Sequence, residues 1–180
     1  MKRIIKALSI LIFVITLSGC FSNMGPKETV SDFLKQYVEL DKDIIKELDK
    51  YLEKQDITSE QKSRYKKVIK DEYSSISYKI KKENIKGNTA KVEVEITVKD
   101  LYSASKNAEQ DLLDNPLDFY VDGSYSSKKF IDHKLDIMEH TTDVQTYTIS
   151  IFLEKEDNKW KILELDNDTL EKIHGIYNYQ

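Results

Sequence analysis

The chain is poor in the residues that most readily declare a function. It has one cysteine in 180 residues, two prolines, five glycines and one tryptophan. A single cysteine excludes an internal disulfide framework and any paired-cysteine metal site. So few prolines and glycines exclude a collagen-like, low-complexity or long-linker composition. No apolar run reaches the roughly 20 residues needed to cross a bilayer as a helix. Positive charge is also in deficit: 28 Lys and Arg against 32 Asp and Glu give a net charge of −4. Nucleic-acid binders usually carry a basic patch, so that class is disfavoured. Phosphate-binding glycine loops, dinucleotide fingerprints and nucleophile elbows are missing.

The N-terminus does carry a signal. Lys2, Arg3 and Lys6 form a basic start without acids, and Ala7 to Leu17 is apolar apart from Ser9 and Thr16. That order is the order of a secretory signal peptide. The run closes with Leu17-Ser18-Gly19-Cys20. These four residues resemble a bacterial lipobox. The resemblance implies cleavage before Cys20 and diacylglyceryl transfer to its sulfur. Residues 1–19 would be the lipoprotein signal peptide and Cys20 the lipidated first residue of the mature chain. Two acyl chains at about 0.8 kcal/mol per buried methylene suffice for stable anchoring. Loss of residues 1–19 removes three positive charges and leaves −7 on 161 residues. The expected location is the cell membrane, lipid-anchored on its extracytoplasmic face. Residues 20–27 would form a tether of about eight extended residues, on the order of 26 Å at ~3.3 Å each.

Residues 28–180 read as a single domain on size. From Glu28 to Leu52, apolar residues recur in steps of three and four, which predicts an amphipathic helix. Asp41-Lys42-Asp43 interrupts the stripe and is placed to bend or split it. Thr58-Ser59-Glu60-Gln61 is a capping box that opens a helix through Tyr65, Val68, Ile69 and Tyr73. The period then changes to two. Ile76, Tyr78 and Ile80 alternate with polar residues, Lys86-Gly87-Asn88 marks a turn, and Val92, Val94, Ile96 and Val98 answer, which predicts a hairpin. Ser103 to Leu113 is helical in character, Asn115-Pro116 breaks it, and Ser126 to His140 predicts a further helix. Thr142 to Glu154 and Trp160 to Leu165 form a second hairpin about the Glu156–Lys159 turn. Asp168-Thr169-Leu170-Glu171 predicts the cap of a short terminal helix. The fold class is therefore α+β: N-terminal helices on a curved antiparallel sheet of about four strands, with a helical insertion between the two hairpins.

This order, with Phe33-Leu34 and Tyr37 on the first helix and Asp157-Asn158-Lys159-Trp160-Lys161-Ile162 in the late hairpin, resembles the cystatin-like, nuclear-transport-factor-two-like superfamily that includes SnoaL-like proteins. The resemblance spans roughly Glu28 to Leu165. It departs from the compact pattern at Leu101 to Thr141, a long insertion. Small lipoproteins of Gram-positive bacteria often join a lipobox to such a domain. The resemblance implies a fold and a cone-like interior, not a reaction.

Three sets of residues could carry chemistry. His133, Asp136 and His140, with Asp132 and Glu139 nearby, offer imidazole and carboxylate on one helix, as zinc would require. Their spacing matches no established metal pattern, and helix ends attract histidine for dipole reasons. Asp166-Asn167-Asp168 with Glu171 has the oxygen donors of a calcium loop but lacks its glycine and distal glutamate. Capping accounts for the same residues. Tyr37, Tyr78, Tyr102 and Tyr147 would line a cone-like interior, or serve as ordinary core and rim. The inward strand positions Val92, Val94, Ile96, Val98, Tyr147, Ile149 and Ile151 provide no general acid or base, and Glu93 and Glu95 fall on the opposite face. No cofactor is expected. The leading expectation is a non-enzymatic envelope lipoprotein that binds a small apolar ligand, a peptide or a protein partner. A SnoaL-like enzyme acting on a hydrophobic small molecule is the second, and a prophage-exclusion or bacteriocin-immunity lipoprotein the third.

Overall fold

The computed structural model describes residues 24–179. Cys20 and the rest of the lipobox lie outside the described residues. Pro26 occupies the first turn of α1 (Pro26–Val38), where its missing N–H costs nothing, and Glu28 meets the positive end of the helix dipole. The helix thus begins two residues before Glu28. Leu40 takes a positive φ of 54° and ends the run. Asp41 then caps α2 (Lys42–Glu53) by accepting the Asp43 N–H at 2.8 Å. The polar interruption therefore splits the amphipathic stripe into two helices.

The capping box forms as expected. Thr58 Oγ1 accepts the Gln61 N–H, and Gln61 Oε1 accepts the Thr58 N–H, opening α3 (Ser59–Ser75). β1 (Ser77–Lys86) and β2 (Thr89–Lys99) follow, turning at Gly87 with φ +59°. Extra pairing carries β1 five residues past Lys81, and a register shift between Ile80 and Lys82 bends it. α4 (Leu101–Asp114), a 3-10 turn (Pro116–Phe119), a tiny hairpin of β3 (Tyr120–Val121) and β4 (Ser124–Tyr125), and α5 (Ser127–His140) make up the insertion.

The main sheet runs β1-β2-β5-β6 and is antiparallel throughout, with β5 at Val144–Glu156 and β6 at Lys159–Ile162. β2 and β5 pair from Thr89 with Glu154 to Lys99 with Val144. Asp157 and Asn158 both adopt positive φ, which closes the last tight turn. β6 stops at Ile162 rather than continuing to Leu165. Leu163 keeps one bond, from its N–H to the Phe152 carbonyl, but its side chain is exposed.

Alternation decides the two faces. Val92, Val94, Ile96, Val98, Ile149, Ile151 and Leu153 point inward and are buried under Val30, Phe33 and Leu34 of α1 and Val68 and Ile69 of α3 within one core. Each such side chain stabilises by roughly 1.5–3 kcal/mol. The outer face carries Lys91–Glu93 and Lys81–Glu95 pairs and a Thr97–Thr146 hydroxyl contact. The insertion has a second small core of Ala108, Phe119 and Phe130. α6 (Asn167–Ile173) completes the described chain, and its cap is Asp166, not Asp168. Asp166 Oδ1 accepts the Thr169 N–H at 2.7 Å, because burial of Thr169, Leu170 and Ile173 sets the helix start at Asn167.

Candidate functional site

The most unusual chemistry lies inside the domain. α3 presents Gln61, Tyr65, Val68, Ile69, Glu72 and Tyr73 along its buried stripe. Glu72 therefore occupies a core position and is fully buried. Its Oε2 accepts the Lys99 backbone N–H at 2.8 Å, where β2 ends. Oε1 has no hydrogen-bond partner among the described residues. Burial pushes this carboxyl up to about 8, against the opposing pull of the Lys99 N–H.

One residue along, the Tyr73 hydroxyl meets Nδ1 of His174 at 2.8 Å. His174 follows α6 directly and is buried against the rings of Tyr73 and Tyr37, which also touch each other. Desolvation lowers its imidazole to about 4, so the ring is neutral at pH 7. Gly175 holds φ +68°, and a Cβ there would run into the Lys99 carbonyl. Its own carbonyl accepts the Tyr102 N–H. The end of β2 is thus held by Glu72 on one side and by Gly175 on the other.

A second polar set caps α4. Asp100 accepts the Ser103 N–H at 2.9 Å, the Gln145 amide at 3.2 Å and the Tyr179 hydroxyl at 2.5 Å. Burial works against the Asp100 charge, but these donors together hold the carboxyl below its ordinary range.

The residues singled out in the sequence separate. His133 Nε2 bonds Asp111 on α4 at 2.8 Å and lies edge-on to Phe119. His140 Nδ1 turns back to the Asp136 carbonyl oxygen. The acids on the same helix are taken by Arg64 of α3, which reaches Glu139 at 2.9 Å, Asp136 at 2.5 Å and Asp132 at 3.9 Å. Among the described residues no group of three His, Cys, Asp or Glu is placed to hold a metal ion. Asp166 is occupied as a helix cap. Of the four tyrosines, Tyr37 is buried in the core and Tyr78 bonds Ser31 on α1. Tyr102 and Tyr147 both meet the C-terminal segment, through Asn178 and the Tyr177 ring respectively. Burial with the nearby Asp100 charge pushes the Tyr147 hydroxyl up to about 12.

Glu72, His174, Asp100 and Arg64 were not marked in the sequence. Glu72 had a signal, because it sits four residues after Val68 on the apolar stripe. Arg64 and His174 had none, since these partners lie 68 to 101 residues away. One surface element also stands out: Leu113, Leu117, Tyr120 and Val121 are exposed at the tip of the insertion. No family model matches the chain, and searches of curated proteins and of solved structures return no match.

Proposed function

We propose that the protein is a membrane-anchored extracytoplasmic lipoprotein whose α+β domain binds a partner rather than catalysing a reaction. The anchor rests on the lipobox at Cys20, preceded by its basic and apolar segments. α1 begins at Pro26, so six chain steps separate it from Cys20. Extended chain covers at most about 20 Å over that length, which would keep the domain beside the bilayer. The observation that carries the binding reading is the occupied inner face of the sheet. Val92, Val94 and Ile96 have no exposed surface, so the helices fill the concavity that a small-molecule reaction would use. Exposed apolar surface lies instead on the insertion. This favours a peptide or protein partner over a small apolar ligand.

The anchor is tested by growing cells with a radiolabelled fatty acid. Wild type should incorporate label and Cys20→Ala should not; equal labelling of the two, or none in either, would refute the anchor. The superfamily resemblance also leaves a second reading, a SnoaL-like enzyme, and one observation favours it. Glu72 and His174 are buried ionisable groups, and a carboxyl near 8 lies in the working range of a general acid or base. Turnover on a hydrolase and isomerase panel that Glu72→Gln abolishes, with folding intact, would establish the enzyme. Turnover indifferent to Glu72→Gln would remove the support.

A further inference from the structure

The tip of the insertion repeats one pattern every four residues: Leu113-Asp114, Leu117-Asp118 and Val121-Asp122. The three apolar side chains are 73, 78 and 51% exposed. The segment is nonetheless anchored, because Phe119 is buried edge-on to Phe130 with ring centroids 5.6 Å apart. Its exposed leucines and valine are therefore held outward by a fixed backbone. Single exposed apolar residues need no explanation, but three within nine residues, with Tyr120 also exposed, concentrate apolar exposure at the tip of the insertion. The charge there has one sign. Residues 107–126 contain five carboxylates and no lysine or arginine. Glu109 pairs with Lys106 and Lys134, and Asp111 with His133. Asp114 accepts the Gln110 amide, but it, Asp118 and Asp122 have no ion-pair partner among the described residues.

We propose that this tip docks a cationic amphipathic peptide segment. The segment's apolar side would cover Leu113, Leu117 and Val121, and its lysines or arginines would meet Asp114, Asp118 and Asp122. Charge decides among the occupants. An anionic lipid surface would be repelled by the three carboxylates. A second copy in a two-fold contact would set the same carboxylates against each other. A cationic amphipathic segment meets both the apolar and the acidic half of the repeat. The inference rests on the binding-module reading, and it is tested without reference to lipid labelling.

The full chain, as the cells make it, is placed in nanodiscs of neutral phosphatidylcholine if it carries lipid and kept free in buffer if it does not, with empty discs or buffer as the blank. A fluorescent helical peptide of leucine and lysine is titrated against it, beside a matched peptide of leucine and glutamate. The expected result is saturable binding of the lysine peptide alone. Its affinity should fall about tenfold when ionic strength rises from about 0.05 to about 0.5 M. Leu113→Ser with Leu117→Ser and Val121→Ser should weaken it about tenfold, and so should Asp114→Asn with Asp118→Asn and Asp122→Asn. All six positions are exposed, and unchanged circular dichroism would show that the variants fold. Equal binding of the glutamate peptide, equal binding to empty discs, or unchanged affinity in both triple variants would overturn the proposal. So would self-association of the wild type that the leucine and valine changes abolish and the lysine peptide does not displace.

Discussion

At the scale of single residues, Glu72 gives the domain an unusual pH response. Its carboxyl rises from 4.5 to about 8 on folding. The folded chain therefore holds a proton that the unfolded chain has released, and stability falls as pH rises through that window. His174 has the opposite sign. Its ring falls from 6.5 to about 4, so stability is lost as pH drops from 6.5 towards 4. The two slopes oppose each other between 4.5 and 6.5, and above 6.5 Glu72 acts alone. Urea denaturation should show a loss of up to about 2 kcal/mol between pH 6.5 and 8. Glu72→Gln, which keeps an acceptor for the Lys99 N–H, should flatten that slope; an unchanged slope would clear Glu72 of it. Gly175 makes a second test. Gly175→Ala combines a positive φ with a clash against backbone and should cost more than about 2 kcal/mol. Gly123→Ala, with φ +78° and open space, should cost only about 1 kcal/mol. Thermal melts of the two variants make the comparison.

At the scale of elements, local rules were readable where the partner residues are close in sequence. The Thr58–Gln61 capping box, the Lys86–Asn88 turn and the strand alternation of Val92 to Val98 all have this character, and all form. The α6 cap shows where local rules compete. Asp166 and Asp168 are equally good caps, and only the burial of Leu170 and Ile173 chooses between them. Asp166→Ala should therefore lower stability by about 1 kcal/mol, while Asp168→Ala should change it by a few tenths. Denaturant midpoints that fell equally for both would contradict the assignment. The candidate site was much less legible. A glutamate, an arginine and a histidine on helices read as solvated residues until tertiary partners are known. Gln61 is the clearest case: its cap was readable, but not that its amide also reaches the Lys128 carbonyl and Asp132 on α5.

At the scale of the whole molecule, the described chain has one large core and one small one. α5 meets α3 through Gln61 and Arg64 and adds Ile131, Leu135 and Met138 to the large core, and the outer part of the insertion depends on Ala108, Phe119 and Phe130. Elements with few buried contacts open first. Native-state hydrogen exchange should find β3, β4 and the adjoining ends of α4 and α5 exchanging before the β2–β5 pairs. Arg64→Ala should speed exchange in α5 while leaving β2 unchanged; a uniform acceleration would show that the insertion and the sheet open together.

The pairing of Lys99 with Val144 carries a further consequence. β2 and β5 are in the register of a hairpin, and Asp100 donates its N–H to the Asp143 carbonyl just beyond them. The 44 residues from Asp100 to Asp143 thus stand where a turn of about four would serve. Closing a loop that much longer costs about 2 kcal/mol in chain entropy, a modest sum for a domain of this size. The strand register alone does not set the length of the detour, although Leu101, Ala104, Ile131, Leu135 and Met138 tie its two helices to the main core. The outer part, between the end of α4 and the start of α5, can therefore change in length with the strand register intact, and a comparison of distant relatives would find its largest insertions and deletions between Asp114 and Ser127.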